Sequence, residues 1–393
     1  MRVLYVLSSS NQMYSGIGRN VFELTARLMD RARFEFAIDD RNPKNLALVG
    51  RFCRQHSLPL HIGRGRSVPE ALDDFNEDLP ALLREYRWDA IEFVCWANAA
   101  TNDAVLREAG DTVLIYTPHF QPTWTCPTTP SQAEFIERVH RLALQRADAI
   151  LCVSPQERDE LSAAVRGEGE YHYIANGCDF GAFRPGPPRR RPQLLFVGDL
   201  AEPRKRFDRV LAVFRRVLRA RPEMRLVVVG NRSDSARDLI PPDLRHACDL
   251  RGYVEEAILR RAYAESQGLF LLSDFEAFGI PVLEALASGT PVFLSQQEAT
   301  ESLFGTYPGA CFCNPDDPDA TADMVLRVLA LGQEVIAAVL AGRRRLQAAF
   351  DWEVLADRKW DALAAAWFRR RCWSWPAEAH HRTPEQRGTG ILT

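Results

Sequence analysis

The run Ser273-Asp274-Phe275-Glu276-Ala277-Phe278-Gly279-Ile280-Pro281-Val282-Leu283-Glu284-Ala285-Leu286-Ala287-Ser288-Gly289-Thr290-Pro291-Val292 reads as strand end, loop, helix, tight turn and strand. Gly279 lets backbone approach a ligand closely, and Pro281 suits a first helical turn, where its missing N–H costs nothing. The amides of Phe278, Gly279 and Ile280 then point outward at a helix N-terminus, an anion site suited to a diphosphate. Glu276 lies in the loop and Glu284 in the first helical turn, so the two acids can grip different ends of one ligand. A carboxylate accepts two hydrogen bonds at once, which matches a vicinal diol such as a ribose or a sugar ring. A charged loop beside a surface helix acid is the plainer alternative, and it accounts for less of the string.

This segment resembles the signature of the retaining glycosyltransferases of the GT-B fold, family 4, with its E-x7-E motif. The resemblance implies that Glu284 holds a nucleotide ribose, and that Glu276 with the Phe278, Gly279 and Ile280 amides contacts a donor sugar. Other stretches are similar to the family in the same order along nearly the whole chain: Ser15-Gly16-Ile17-Gly18-Arg19, Ala147-Asp148-Ala149-Ile150-Leu151-Cys152-Val153-Ser154, Ile174-Ala175-Asn176-Gly177-Cys178-Asp179-Phe180 and Phe350-Asp351-Trp352.

Further residues acquire roles through that resemblance. In Gly198-Asp199-Leu200-Ala201-Glu202-Pro203-Arg204-Lys205-Arg206 the family has Arg after the glycine and a Lys six residues later, both neutralising the leaving diphosphate. Lys205 matches, while Asp199 stands where Arg is expected. Loss of that cation raises the barrier to C–O cleavage, because charge develops on the phosphate; Arg204 or Arg206 are the candidate substitutes. His119, after the run Thr112–Tyr116, matches a His lining the reaction centre, and the C-terminal end of a parallel strand is where α/β ligands collect. Gly16 and Gly18 let the first loop approach donor or acceptor. Glu301 falls near the sugar pocket, and Tyr253 near the nucleobase.

Two competing motifs are weaker. Gly16-Ile17-Gly18 lacks the third glycine of a dinucleotide fingerprint, since Val21 takes its place, and it begins well past the end of the first strand. Asp317-Pro318-Asp319 has the form of a metal-binding D-x-D, but it precedes a helix and is better read as an N-cap. No His/Asp/Glu cluster has metal-ligand spacing, so neither metal nor cofactor is expected.

The elements needed to position these residues are visible as alternating apolar runs and amphipathic segments. Val3–Leu7, Phe34–Ile38, Ala90–Cys95, Thr112–Tyr116 and Ala149–Val153 occupy the first half; Leu194–Gly198, Leu226–Gly230, Gly268–Leu272 and Val292–Ser295 the second. Uninterrupted apolar strands joined by helices predict parallel sheets covered on both faces. The fold class expected is α/β, GT-B, with two Rossmann-like doubly wound domains facing a cleft. The resemblance assigns acceptor binding to residues 1–182 and nucleotide-sugar binding to 193–351. A Pro-rich linker spans 183–192, and the helix 352–375 packs back on the first domain. A frayed tail is expected at 376–393. Arg189, Arg190 and Arg191 in the linker read as a solvated face. The sequences 41–68 and 121–132 read as loops without a family pattern.

Composition bounds the rest. The chain has 393 residues, with 49 Lys+Arg against 52 Asp+Glu, a balance that argues against broad nucleic-acid binding. Nine cysteines without a CxxC read as reduced thiols, and no apolar run is long enough to span a bilayer, so a cytoplasmic protein is expected. The basic, Trp-rich stretch Arg369–Trp375 would either pack on the first domain, the preferred reading, or rest on an anionic membrane as a peripheral contact. A UDP-sugar is preferred over a GDP-sugar as donor. The acceptor is a carbohydrate, a lipid-linked glycan or a small molecule. Alternatives are a nucleotide-sugar epimerase or phosphorylase of the same plan, or a sugar-nucleotide-binding protein impaired by Asp199.

Overall fold

Runs such as Arg225-Leu226-Val227-Val228-Val229 place β-branched residues on both faces of a strand, which is stable only when helices cover both faces. The computed structural model describes residues 1–7, 13, 16–68, 73–95, 103–119, 130–187, 190–200, 202–231 and 236–373. Ser15, most of 121–132, Arg189, Trp375 and the expected tail 376–393 lie outside the described residues.

In the first half the strands are β1 (Arg2–Leu7), β2 (Arg33–Asp39), β3 (Leu60–Gly63), the antiparallel pair β4 (Gly65–Val68) and β5 (Asp73–Asn76), β6 (Ala90–Val94), β7 (Val113–Thr117), β8 (Ala149–Cys152) and β9 (Glu170–Tyr173). The second half contains β10 (Gln193–Val197), β11 (Arg225–Val229), β12 (Cys248–Leu250), β13 (Gly268–Leu271), β14 (Val292–Ser295) and β15 (Ala310–Cys313). The helices of the first half are α1 (Gly16–Leu28), α2 (Pro43–His56), α3 (Leu79–Glu85), α4 (Asp103–Ala109), α5 (Pro130–Arg146) and α6 (Pro155–Ala164). Those that follow are α7 (Phe207–Ala220), α8 (Glu256–Glu265), α9 (Ile280–Ala287), α10 (Glu298–Phe304), α11 (Pro318–Leu331), α12 (Gln333–Phe350) and α13 (Trp352–Trp373).

The seven-stranded sheet runs β3-β2-β1-β6-β7-β8-β9 and the six-stranded sheet β12-β11-β10-β13-β14-β15, with every pairing parallel. Strand order reverses between β1 and β6 and again between β10 and β13. In open α/β sheets those reversals are where ligands bind, beyond the carboxyl ends of the strands. Two doubly wound Rossmann-like domains are therefore present, as the alternation of runs predicts.

The chain crosses between the sheets twice, side by side. On the outward pass the Cys178 amide donates to the Phe350 carbonyl at 2.9 Å, and Cys178 forms a parallel bridge with Asp351 on the return. Trp352, buried at the start of α13, packs where Gly177 has no side chain; a Cβ there would meet its ring at 2.5 Å. One apolar core runs through this junction, joining Leu24 and Val3 of the first half to Val282 and Leu286 of the second.

Two expectations are corrected. Arg190 is buried, and its guanidinium donates to the carbonyls of Tyr263, Ser266, Ser288 and Gly289 and to Thr290 Oγ1. It staples the linker to the second domain instead of facing solvent. The stretch 41–68 holds helix α2, opened by Asn42, whose side chain accepts from the Lys44 and Asn45 amides, with Pro43 in the first turn. At the C-terminal end, Arg369, Arg370 and Arg371 pair with Glu170, Asp148 and Asp89, so the basic stretch of α13 lies on the first domain.

Candidate functional site

The loops after β10 and β13 emerge side by side because those strands are neighbours, and they bring Lys205 to Glu276. Lys205 ends a short 3-10 turn over Pro203–Lys205, and the Asp274 amide donates to the Arg204 carbonyl at 2.8 Å, tying the two loops together. Lys205 Nζ donates to Glu276 Oε1 at 2.7 Å, and Ser273 Oγ donates to the same oxygen at 2.7 Å. Arg204 Nη1 approaches Glu276 Oε2 at 3.4 Å, while its other arm pairs with Glu202 at 2.6 Å and its plane lies over the Phe275 ring. Glu276 is 7% exposed. Burial pushes its carboxyl upward, but Lys205 and Arg204 outweigh burial and hold it below the usual carboxylate range.

Gln297, which no sequence motif marks, fixes the backbone of this loop. Its Oε1 accepts from the Glu276 amide at 2.7 Å and its Nε2 donates to the Ser273 carbonyl at 2.6 Å. A side-chain amide spanning one donor and one acceptor pins the carboxylate's direction.

Gly279 adopts φ +87°, the left-handed region that favours glycine, and stands as N-cap of α9 with no side chain capping the helix. In the first turn Pro281 has no amide N–H and the Val282 amide donates to the Gly279 carbonyl at 2.9 Å, so the amides that can meet a ligand are those leading into the helix, of Phe278, Gly279 and Ile280. Phe278 contributes backbone only, because its ring is buried edge-on against Phe304 and Phe350. One turn into the helix, Glu284 is 3% exposed, and Arg19 Nη1 donates to its Oε1. That pair joins the two domains.

Gly16 lies where the domains meet; a Cβ on it would fall 2.6 Å from Ile280 Cδ1. A Cβ on Gly18 would meet the Met13 carbonyl oxygen at 1.9 Å, so this glycine lets its own chain pass close by.

His119 follows β7 with φ +59°, an uncommon conformation for a residue with a side chain. It is 8% exposed, and its Nε2 has no hydrogen-bond partner among the described residues. Burial, with the nearby Lys359 ammonium, pushes its pKa down to about 3, so the ring is neutral.

The remaining candidates are spread around this centre. Tyr253 is 74% exposed, three residues before Glu256, which lies 3.4 Å from Arg19. Glu301 is half-buried on α10, a helix that packs against α6 of the first domain. Asp199 accepts from Asn231 Nδ2 at 2.9 Å. Arg206 turns outward to Asp208 at 2.9 Å and Asp274 at 3.0 Å, so of the two candidate substitutes only Arg204 stands at the site. Asp317 caps α11 by accepting from the Ala320 amide at 2.9 Å, and Asp319 pairs with Arg216. Among the described residues no three His, Cys, Asp or Glu side chains gather as a metal site.

Two Rossmann-like sheets joined by a double crossing, with these loops at the switch points, define the GT-B class of glycosyltransferase fold. Within that class, residues 15–177 match the family model for the glycosyl transferase 4-like domain and residues 191–331 that for glycosyl transferases group 1. The chain is 26% identical over 240 residues to an MMP alpha-(1->4)-mannosyltransferase of Mycolicibacterium hassiacum, covering 59% of this chain and 57% of that one. It thus spans little more than half the length of such curated relatives. Its fold is similar to sucrose-phosphate synthase from Thermosynechococcus elongatus, with TM-score 0.69 and 19% identity over 95% of this chain and 99% of that one. It is also similar to Anabaena HepE in complex with UDP-glucose, with TM-score 0.73 and 16% identity over 93% and 100%.

Proposed function

We propose that the protein is an anomer-retaining glycosyltransferase of family 4 type that uses a nucleotide-sugar donor, a hydroxyl acceptor and no protein-held metal. One observation carries the reading: two buried carboxylates, Glu276 and Glu284, flank an uncapped helix N-terminus with cations already paired to each. On this reading residues 193–351 bind the donor and 1–182 the acceptor. The ribose diol bonds Glu284, the sugar hydroxyls bond Glu276, and the diphosphate sits on the amides leading into α9 within reach of Lys205. The UDP-glucose complex of HepE, a protein of the same fold, supports a UDP-sugar over a GDP-sugar. The acceptor is a polysaccharide, lipopolysaccharide or other glycoconjugate, or a small metabolite, met in the cytoplasm.

In the transfer step the bond between the anomeric carbon and the phosphate oxygen breaks and its electron pair leaves with the diphosphate. The acceptor oxygen bonds the same face of the sugar, and its proton passes to the departing phosphate. Lys205 and the amides leading into α9 oppose the charge that grows on the leaving group. His119, held neutral, offers a hydrogen bond to sugar or acceptor without adding charge.

The test is Glu284→Ala assayed against a panel of UDP- and GDP-sugars, with thermal shift reporting donor binding. Donor binding and turnover are expected to disappear; wild-type rates in this variant would remove the assignment. Donor interconversion without acceptor would identify an epimerase. Binding without transfer to any acceptor would favour the impaired reading that Asp199 suggests.

A further inference from the structure

Among the described residues the second domain places no cation at position 199 itself, and those nearby are held by acids. Asp199 is tied to Asn231, Arg206 is spent on Asp208 and Asp274, and Arg204 and Lys205 both engage Glu276. The first domain does supply one. Arg19, in the first turn of α1, crosses to the second domain, bonding Glu284 and approaching Glu256 at 3.4 Å, with its guanidinium over the Phe183 ring. Its side chain is 27% exposed.

We propose that Arg19 is parked on Glu284 in the unliganded protein, and that donor binding releases it onto the diphosphate, where it serves as the cation that Asp199 does not provide. This rests on the donor-site reading above.

The physical reason is an exchange of partners. A buried carboxylate left alone is costly, so the empty site must hold a cation on Glu284. A ribose diol satisfies that carboxylate with two neutral hydrogen bonds and competes with Arg19 for its oxygens. The same donor brings two phosphates to the N-terminus of α9, about one helical turn, roughly 5–6 Å, from Glu284. A guanidinium fork matches phosphate oxygens bidentately, and a change of rotamer carries it that distance. Because Gly16 of the same turn already abuts Ile280, Arg19 needs no domain movement to arrive.

The test is calorimetric binding of uridine and of UDP (guanosine and GDP if the wild type prefers that base) to wild type, Arg19→Ala and Arg19→Lys. In Arg19→Ala the nucleoside is expected to bind as tightly as in wild type or tighter, because its competitor is gone. The diphosphate is expected to bind about tenfold more weakly or worse, the order of one charge-assisted phosphate contact. Arg19→Lys, which keeps the charge and loses the fork, falls between. Equal weakening of both ligands, or no change in either, would overturn the proposal, the first by showing a purely structural role. Should Arg19→Ala fail to fold, Glu256→Gln loosens the parked state, with Arg260→Gln as the control for the second pair that Glu256 makes at 2.9 Å: tighter UDP binding in Glu256→Gln than in that control agrees with the exchange, and equal or weaker binding overturns it. A wild type that binds neither nucleotide would sink the donor reading itself, an outcome distinct from failure of the Arg19 step alone.

Discussion

Among the described residues two buried Lys–Glu pairs occur, and they are built to different ends. Lys359 of α13 and Glu92 of β6 are each 1% exposed and 2.8 Å apart; Tyr5 Oη accepts from the ammonium at 3.0 Å and Thr117 Oγ1 donates to the carboxylate at 2.7 Å. Burial alone would lower the Lys359 pKa, but Glu92 and Tyr5 hold it up at about 12. Every partner comes from a strand or a helix, so this pair pins the returning helix to the first sheet. Lys205 and Glu276 come from loops, at a strand reversal, beside an uncapped helix and with Arg204 as a second cation. Their partners can be exchanged when a ligand arrives. Burial and charge are similar; the elements that carry them decide whether a pair is a fastening or a site.

The contrast is broken most directly through Glu92. Glu92→Ala leaves the Lys359 ammonium buried without its counter-charge, and a loss of about 3–5 kcal/mol of stability is expected. Urea unfolding measures it, and the double variant Glu92→Leu with Lys359→Met should recover most of the loss, since an apolar pair needs no partner. A single variant as stable as wild type would mean the pair is not a fastening.

Lys205→Ala is the counterpart. It should lower transfer by about 10²–10³-fold, the order of removing one group that stabilises a developing anion. Folding stability should shift less than in Glu92→Ala, because Arg204 and Ser273 remain on Glu276. Steady-state rates with the preferred donor set beside urea unfolding separate the two effects. A large stability loss with unchanged turnover would make both pairs structural.

The same distinction governs what was legible in the sequence. The stretch Ser273–Val292 is readable because its chemistry is local: loop, glycine, helix start and both acids lie within one strand-to-strand connection. The parallel sheets were legible from uninterrupted apolar runs, and Asp317 from its place before a helix. Arg190 was not, because a Pro-rich linker with three arginines looks solvated until its five acceptors are brought around it from distant segments. Arg19 and Glu284 are 265 residues apart, and nothing in either local pattern announces the other. Gln297 likewise acts on Glu276 and Ser273 from another connection. Helix α2 did carry a signal, Asn42 before Pro43, that a search for family motifs passes over.

The smallest effect expected is a change in one titration, where the fastening reaches towards the site. Burial and the Lys359 ammonium hold His119 at about 3, and burial holds His140 at about 4, both below the unfolded value near 6.5. Between those limits the unfolded chain binds more protons than the native one, so stability rises with pH across that window. The contribution of these rings is therefore complete above about pH 6.5 and declines as pH falls towards 4 and 3. Replacing the charged pair with Leu and Met removes the coulombic push on His119 but leaves its burial, so its pKa should rise without reaching 6.5. Ring proton shifts followed against pH would read this directly. A His119 titration unchanged in the double variant would show that burial alone keeps the ring neutral, and that the fastening of the first domain has no electrical bearing on the residue at its edge.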